Sequence, residues 1–467
     1  MNLKLRSIIE KPEHIFLILG LFFGLISAFM MPVLTIPDEG AHFWMSYGMF
    51  SKNQQIPRDL LVSAGDSTKY VKDNTYIKKI FQNKVNLEGD SFQFNYSKEI
   101  IINPANDSRT VSSMDITRLP QAIGVMIGRL IYPSIGIMTT LGRLVNFSFF
   151  LVATYFIIKK VRYGKLAFTF LALFPMIIHQ AASLSYDVIN IVVIFAWVAF
   201  IMNLFVQKTT ITRNQIIKLL LIGAVLVVTK PTNVLLFGFL PFLPSNLYKN
   251  TKIFRQIRKR LPRFNISKRS LILLAGSLSA IGLAVALFCF DYYLNKHGIS
   301  TIKFIGVFFN TFFQTNINTQ LDPIVTTGIV GNFGWLWYRL PEWLVFVHLS
   351  MLGLILLGEK TPKVNLRFAI ASASLLILSV LTITVGMYFM WTLQPNVAGI
   401  DATFIQGMQG RYFTPLLILL VPTFAYVQQH ASLRISPKLL NMLAIAMAIF
   451  SLTIYLLLTY IFFYQPA

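Results

Sequence analysis

The sequence predicts an all-α polytopic membrane protein with about 11 transmembrane helices. Three observations carry that expectation. The 467 residues are 55% hydrophobic and only 13% charged, with a mean hydropathy of +0.63, which is too apolar for a soluble domain of this length. Apolar stretches of about 20 residues, long enough to cross a hydrocarbon core, recur along the chain. The net charge of +23 is unevenly placed: with the N-terminus in the cytoplasm, the inner loops hold 24 Lys and Arg against Glu10, Glu13 and Glu359, and the outer loops hold 17 against 15 acids. That asymmetry is the positive-inside pattern, so topology accounts for the basic excess without nucleic acid.

The first apolar stretch, 14–33, follows Lys4, Arg6 and Lys11 and contains no Asp, Glu, Lys or Arg. It is too long for the apolar region of a signal peptide and no A-x-A site follows, so it reads as a retained span. Residues 34–119 form a first extracellular loop with ten acids and ten Lys or Arg, long and balanced enough to be a small, partly helical subdomain. A crossing at 120–133 would put the basic loop KKVRYGK, 159–165, outside. That stretch is therefore expected as an interfacial amphipathic helix, and 140–158 becomes the second span. Spans follow at 166–184 and 188–206, then two short runs, 216–229 and 233–245, divided by Lys230-Pro231-Thr232-Asn233 and read as a Pro-broken pair. The basic cytoplasmic loop 246–270 is densest in charge at 249–269, which suits anionic lipid headgroups. The span 271–291 holds Cys289, the single cysteine, which excludes a disulfide framework. A second large extracellular segment, 292–341, precedes the last spans at 342–358, 368–391, 411–428 and 439–463. Trp44, Trp335, Trp337, Trp343 and Trp391 fall at outer interfaces, where amphipathic indoles are favoured. The whole chain, 1–467, is expected to be one membrane domain.

The residues able to do chemistry collect on the outer side. TIPDEGAHFW at 35–44 places Asp38, Glu39 and His42 at the mouth of the first span. Two readings stay open there. Thr35-Ile36-Pro37-Asp38 resembles a capping box with Pro in the first turn; alternatively, in a helix starting here Asp38 and His42 share a face while Glu39 points about 100° away. SLSYD at 183–187 puts Tyr186 and a second carboxylate, Asp187, in the turn between the third and fourth spans, to cap the next helix or to face a substrate. Lys230 falls at the outer tip of the broken pair, with snorkelling to headgroups as its alternative role. QGMQGRYFTPLL at 406–417 brings Gln409, Arg411 and Tyr412 to the tenth span, and Arg339 and Glu342 open the eighth.

Acids beside cations above apolar walls suit a substrate that is part lipid and part phosphate. Sugar transfer from a polyprenyl phosphate needs these residue types. A carboxylate, Asp38, Glu39 or Asp187, takes the proton of the attacking hydroxyl, and Arg411, Lys230 and Arg339 stabilise the departing phosphate. His42, Tyr186, Gln409 and Tyr412 are the supporting groups. His179 reads as a packed core histidine, and the sequence contains no Cys/His cluster, Walker-type loop or G-x-S-x-G elbow.

PDEGAH after the first span, SLSYD, TKP at 229–231 and QGRYFTP resemble, over nearly the whole chain, the bacterial membrane family named domain of unknown function 2142. That family is similar to the GT-C superfamily of polyprenyl-phosphate-sugar-dependent glycosyltransferases. The resemblance implies a GT-C-like fold and a multi-pass protein of the bacterial plasma membrane. It further implies an inverting glycosyltransferase with an extracytoplasmic active site, a polyprenyl-phosphate sugar donor and a glycan or glycolipid acceptor. Asp38 would be the base, and Asp187 the second acid, assisting the acceptor or holding a metal. Adjacent acids stand where the GT-C pattern has D-x-D, so no cofactor is certain and a divalent metal is the one candidate. Two other classes compete: a transporter or flippase of a lipid-linked glycan, and a non-catalytic scaffold of a surface-polymer assembly. The first would place ionisable groups near the bilayer midplane, where the expected spans hold almost none.

Overall fold

A computed structural model describes residues 11–33, 35–50, 55–57, 108–110, 117–132, 135–248, 290–292, 294–313, 324–431 and 433–465. Most of the first loop, the basic loop beyond 248 and nearly all of the 271–291 span, including Cys289, lie outside these residues. In chain order the main helices are α1 (Pro12–Met30), α2 (Glu39–Met49), α3 (Leu119–Ile131), α4 (Ile135–Lys160), α5 (Lys165–Ala172), α6 (Pro175–Ala181), α7 (Asp187–Phe205), α8 (Arg213–Thr229), α9 (Thr301–Phe313), α10 (Glu342–Gly358), α11 (Leu366–Met387), α12 (Leu420–Val427) and α13 (Pro437–Tyr464). Two small antiparallel ladders join Gln55–Pro57 to Ser108–Thr110 and Asn332–Phe333 to Tyr338–Arg339. The first brings the two ends of the external loop together.

Among the described residues, five helices are long and apolar enough to cross a membrane: α1, α4, α7, α11 and α13. Other expected spans are shorter or broken, and prolines explain the breaks. The 166–184 segment divides at Leu173-Phe174 because Pro175 has no N–H and holds Phe174 extended (φ −55°, ψ 134°). The 216–245 pair parts where expected: Lys230 is extended (φ −147°, ψ 122°) and Pro231–Phe242 continues as a 3-10 helix. The tenth segment, expected as one span, is instead two 3-10 stretches, Gly410–Tyr412 and Thr414–Leu419, followed by α12, with Pro415 and Pro422 interrupting it.

The core forms around α7, apolar on all sides and therefore enclosed; Val188, Phe195, Trp197, Val198 and Met202 are all buried. α3 lies antiparallel along the first turns of α4. The pair approaches so closely that a Cβ on Gly124 would stand 2.3 Å from the Leu141 carbonyl oxygen, and one on Gly128 2.6 Å from the Met138 Cα. Trp44 departs from the interfacial expectation, being fully buried beside Phe43, whereas Trp343 and Trp391 are exposed.

The segment ends gather at two poles. At one, Glu359 accepts hydrogen bonds from the Leu166 and Ala167 amides (2.9 and 3.1 Å) at the start of α5, and Gln428 donates to the Glu359 carbonyl at 2.7 Å. The Thr169 hydroxyl donates to the Pro12 carbonyl at 3.1 Å at this same end. At the other pole the C-terminus of α1, the start of α2, Arg143, the turn before α7, Lys230 and Arg411 converge.

Candidate functional site

The site is built on an anchor. Glu39 is buried, and both its carboxylate oxygens accept from Arg143: Nε to Oε1 at 2.7 Å and Nη2 to Oε2 at 2.6 Å. Arg143 also donates to the carbonyls of Ala28, Met31 and Pro32 (3.1, 2.6 and 2.9 Å), and the Leu184 amide donates to Glu39 Oε1 at 3.3 Å. One forked ion pair thus joins α1, α2, α4 and the turn before α7. Glu39, expected as a catalytic carboxylate, is placed by the structure in a buried ion pair with Arg143, away from solvent.

Asp38, one residue earlier, faces the other way. The expected capping box does not form: Thr35 Oγ1 donates to the Pro32 carbonyl at 2.7 Å, and the Asp38 side chain caps nothing. Asp38 instead takes the left-handed backbone conformation (φ 62°), which costs a non-glycine residue about 1–3 kcal/mol and needs surrounding contacts to persist. Its side chain is 53% exposed, and Oδ2 accepts from Arg411 Nη2 at 3.2 Å.

Arg411, buried in the 3-10 turn Gly410–Tyr412, is the hub. Nη2 reaches Asp38, Nη1 donates to Gln180 Oε1 at 3.3 Å, and Nε lies 3.9 Å from Asp187 Oδ2 without a hydrogen-bond partner. Asp187 opens α7 but does not cap it. Its Oδ1 accepts from Lys230 Nζ at 2.8 Å, so Lys230 forms a partly buried ion pair. Aromatic faces surround the cations: Lys230 Nζ sits 4.8 Å from the Tyr412 ring and 5.5 Å from the Tyr186 ring, and the Arg118 guanidinium lies 5.2 Å from Tyr186.

His42 packs edge-on against Tyr186 (5.0 Å between centroids), and its Nδ1 accepts from Arg118 Nε at 3.4 Å. Burial, reinforced by the Arg118 charge, lowers its pKa to about 3, so it is a neutral acceptor. The cluster thus sets Arg118, Lys230 and Arg411 beside Asp38 and Asp187, an arrangement of cations able to face an anion.

Two expected members stand aside. Arg339 is exposed on the second hairpin strand, and no hydrogen bond or ion pair among the described residues joins it to the cluster. Gln409 precedes the Arg411 turn, with its Oε1 buried and unpartnered. Among the described residues no group of three His, Cys, Asp or Glu is arranged to hold a metal; the two acids are turned onto cations.

The family described as "Predicted membrane protein (DUF2142)" matches residues 21–420. The chain belongs to this family. Comparison with curated proteins and with solved structures finds no match. The DUF2142 match contains every residue of the cluster, from Asp38 to Arg411, and ends before α13. Within this DUF2142 chain the structure brings together Asp38, His42, Tyr186, Asp187, Lys230, Arg411 and Tyr412, all expected from sequence, and adds Arg118, Arg143 and Gln180. Arg143 had a readable signal as a lone charge three residues into an apolar span. Gln180 and Arg118 had none stronger than polarity near a segment end.

Proposed function

We propose that this protein is an integral-membrane, inverting glycosyltransferase of GT-C type. It moves a sugar from a polyprenyl-phosphate donor to a cell-surface glycan or glycolipid. The reaction takes place on the extracytoplasmic face of a bacterial plasma membrane, within a fold of about 11 spans with the N-terminus inside. The observation that carries the reading is Arg411 bridging a half-exposed acid, Asp38, and a buried one, Asp187, that is itself paired with Lys230. In this mechanism Asp38, whose other oxygen takes no described hydrogen bond, receives the proton of the acceptor hydroxyl as it attacks the anomeric carbon. Arg411 and Lys230 take up the negative charge that gathers on the departing lipid phosphate. Asp187 holds both cations in place.

The test is transfer in proteoliposomes supplied with a polyprenyl-phosphate sugar and a glycan acceptor. Asp38→Asn keeps insertion and folding and lowers the rate at least about 100-fold. Near-normal transfer by that variant removes Asp38 as the base, and movement of the labelled lipid-linked sugar across the bilayer with no new glycosidic bond overturns the enzyme reading.

A further inference from the structure

The pole opposite Asp38 and Arg411 carries a recess whose chemistry is independent of sugar transfer. The C-terminal ends of α4 and α7 and the first turns of α8 enclose a crevice of about 420 Å³, within the usual range for small-molecule sites. α7 separates the two places: Asp187 begins it, and Asn203, which lines the crevice, lies about 24 Å further along at 1.5 Å per residue.

The crevice has two chemically distinct halves. Its floor is apolar, formed by Phe156, Ile157, Ala199, Phe200 and Ile222. Beside it, exposed Val152 on α4 and Leu221 and Val225 on α8 extend the same apolar surface, which in a membrane faces hydrocarbon. Its rim carries Lys160, Arg162 and Lys218, and no Asp or Glu lines it. The rim is held in shape: the Arg162 amide donates to Asn203 Oδ1 at 2.8 Å, Asn203 Nδ2 donates to the Lys160 carbonyl at 3.0 Å, and Gln215 Nε2 donates to Gln207 Oε1 at 2.7 Å. The Lys160 ammonium lies 5.7 Å from the Phe156 ring, and the Arg162 guanidinium reaches the Asn203 carbonyl at 3.4 Å. Among the described residues none of the three cations is in an ion pair.

We propose that this crevice binds one anionic phospholipid, with an acyl chain along the floor and the phosphate on the Lys160, Arg162 and Lys218 rim. A free anion matches the rim and leaves the floor unfilled. A zwitterionic lipid fills the floor but brings its own cation to a rim that already carries three. Only a molecule that joins a hydrocarbon chain to a net negative headgroup satisfies both halves. The positive-inside orientation puts this rim at the cytoplasmic leaflet, where anionic lipids concentrate and basic pockets between membrane helices retain them.

The test uses the full-length chain, purified in neutral detergent, stripped of lipid and titrated with phosphatidylglycerol, phosphatidylcholine or inorganic phosphate, with bound lipid counted by native mass spectrometry. The expected result is one saturably bound phosphatidylglycerol per chain, at least tenfold weaker phosphatidylcholine, and no competition from phosphate. The variant Lys160→Gln/Arg162→Gln/Lys218→Gln, which changes exposed side chains only and keeps its size-exclusion profile, loses at least tenfold in phosphatidylglycerol affinity. Equal phosphatidylglycerol binding by wild type and variant overturns the proposal. So does phosphatidylcholine bound as tightly as phosphatidylglycerol, and so does displacement by phosphate alone, which would reveal a free-anion site.

Discussion

Asp38 and Glu39 show how far a residue's neighbours in sequence can mislead. Both are acids at the head of one helix, yet one is half in solvent on Arg411 and the other sealed against Arg143. Asp38, Asp187, Lys230 and Arg411 were legible because charges beside apolar segments are rare and costly. The burial of Glu39 left no local signal because its partner lies 104 residues away. A buried pair broken on one side leaves an uncompensated charge, so Arg143→Ala is expected to cost about 3–5 kcal/mol. Glu39→Leu/Arg143→Met should recover part of that loss, the rest remaining with the carbonyls of Ala28, Met31 and Pro32. Thermal unfolding in detergent checks both, and a single variant as stable as wild type would show that the pair anchors nothing. His42 gives a pH signature. An unfolded imidazole takes a proton below its ordinary pKa of 6.5, whereas the native one resists to about 3. The folded value is depressed, so this contribution is fully present above 6.5 and is lost as pH falls from 6.5 toward 3. His42→Gln should flatten the fall of melting temperature across that window; an unchanged slope would mean that His42 is not the group responsible.

At the scale of elements, proline read correctly at Lys230-Pro231 and too weakly at Pro175, Pro415 and Pro422. A window of apolar residues looks like one span whether or not a missing N–H divides it. The α3–α4 contact was present in the sequence as Gly124-x-x-x-Gly128, a spacing that lets two helix backbones touch. An added methyl at Gly124 meets the Leu141 backbone, which cannot rotate away as a side chain could. Gly124→Ala is therefore expected to cost about 1–3 kcal/mol through forced separation of the helices. Faster proteolysis at the C-terminal end of α3 and a lower melting temperature would report it, and wild-type behaviour of both would show that the contact yields freely. Glu359 caps α5 from a different part of the chain, 193 residues from Leu166, and no local pattern announces such a cap.

For the molecule as a whole, hydropathy gave the class and charge asymmetry supplied an expected threading, while the contacts that close the site are long-range and their pairing left no mark in sequence. The two poles make a direct expectation. In a Cys289→Ser background, Ala41→Cys and Lys159→Cys should react with a membrane-impermeant maleimide from opposite sides of sealed vesicles; labelling from one side would dismantle the two-pole arrangement. Arg411 also imposes an order on biogenesis. At about 5–20 residues per second of translation, Asp187 waits about 2–9 s for Lys230, which follows 43 residues later. Asp38 waits about 19–75 s for Arg411, 373 residues downstream. A ribosome that stalls between those events leaves Asp38 without the cation that pairs with it in the finished chain. Such an unfinished chain presents cellular quality control with a feature that the completed protein conceals.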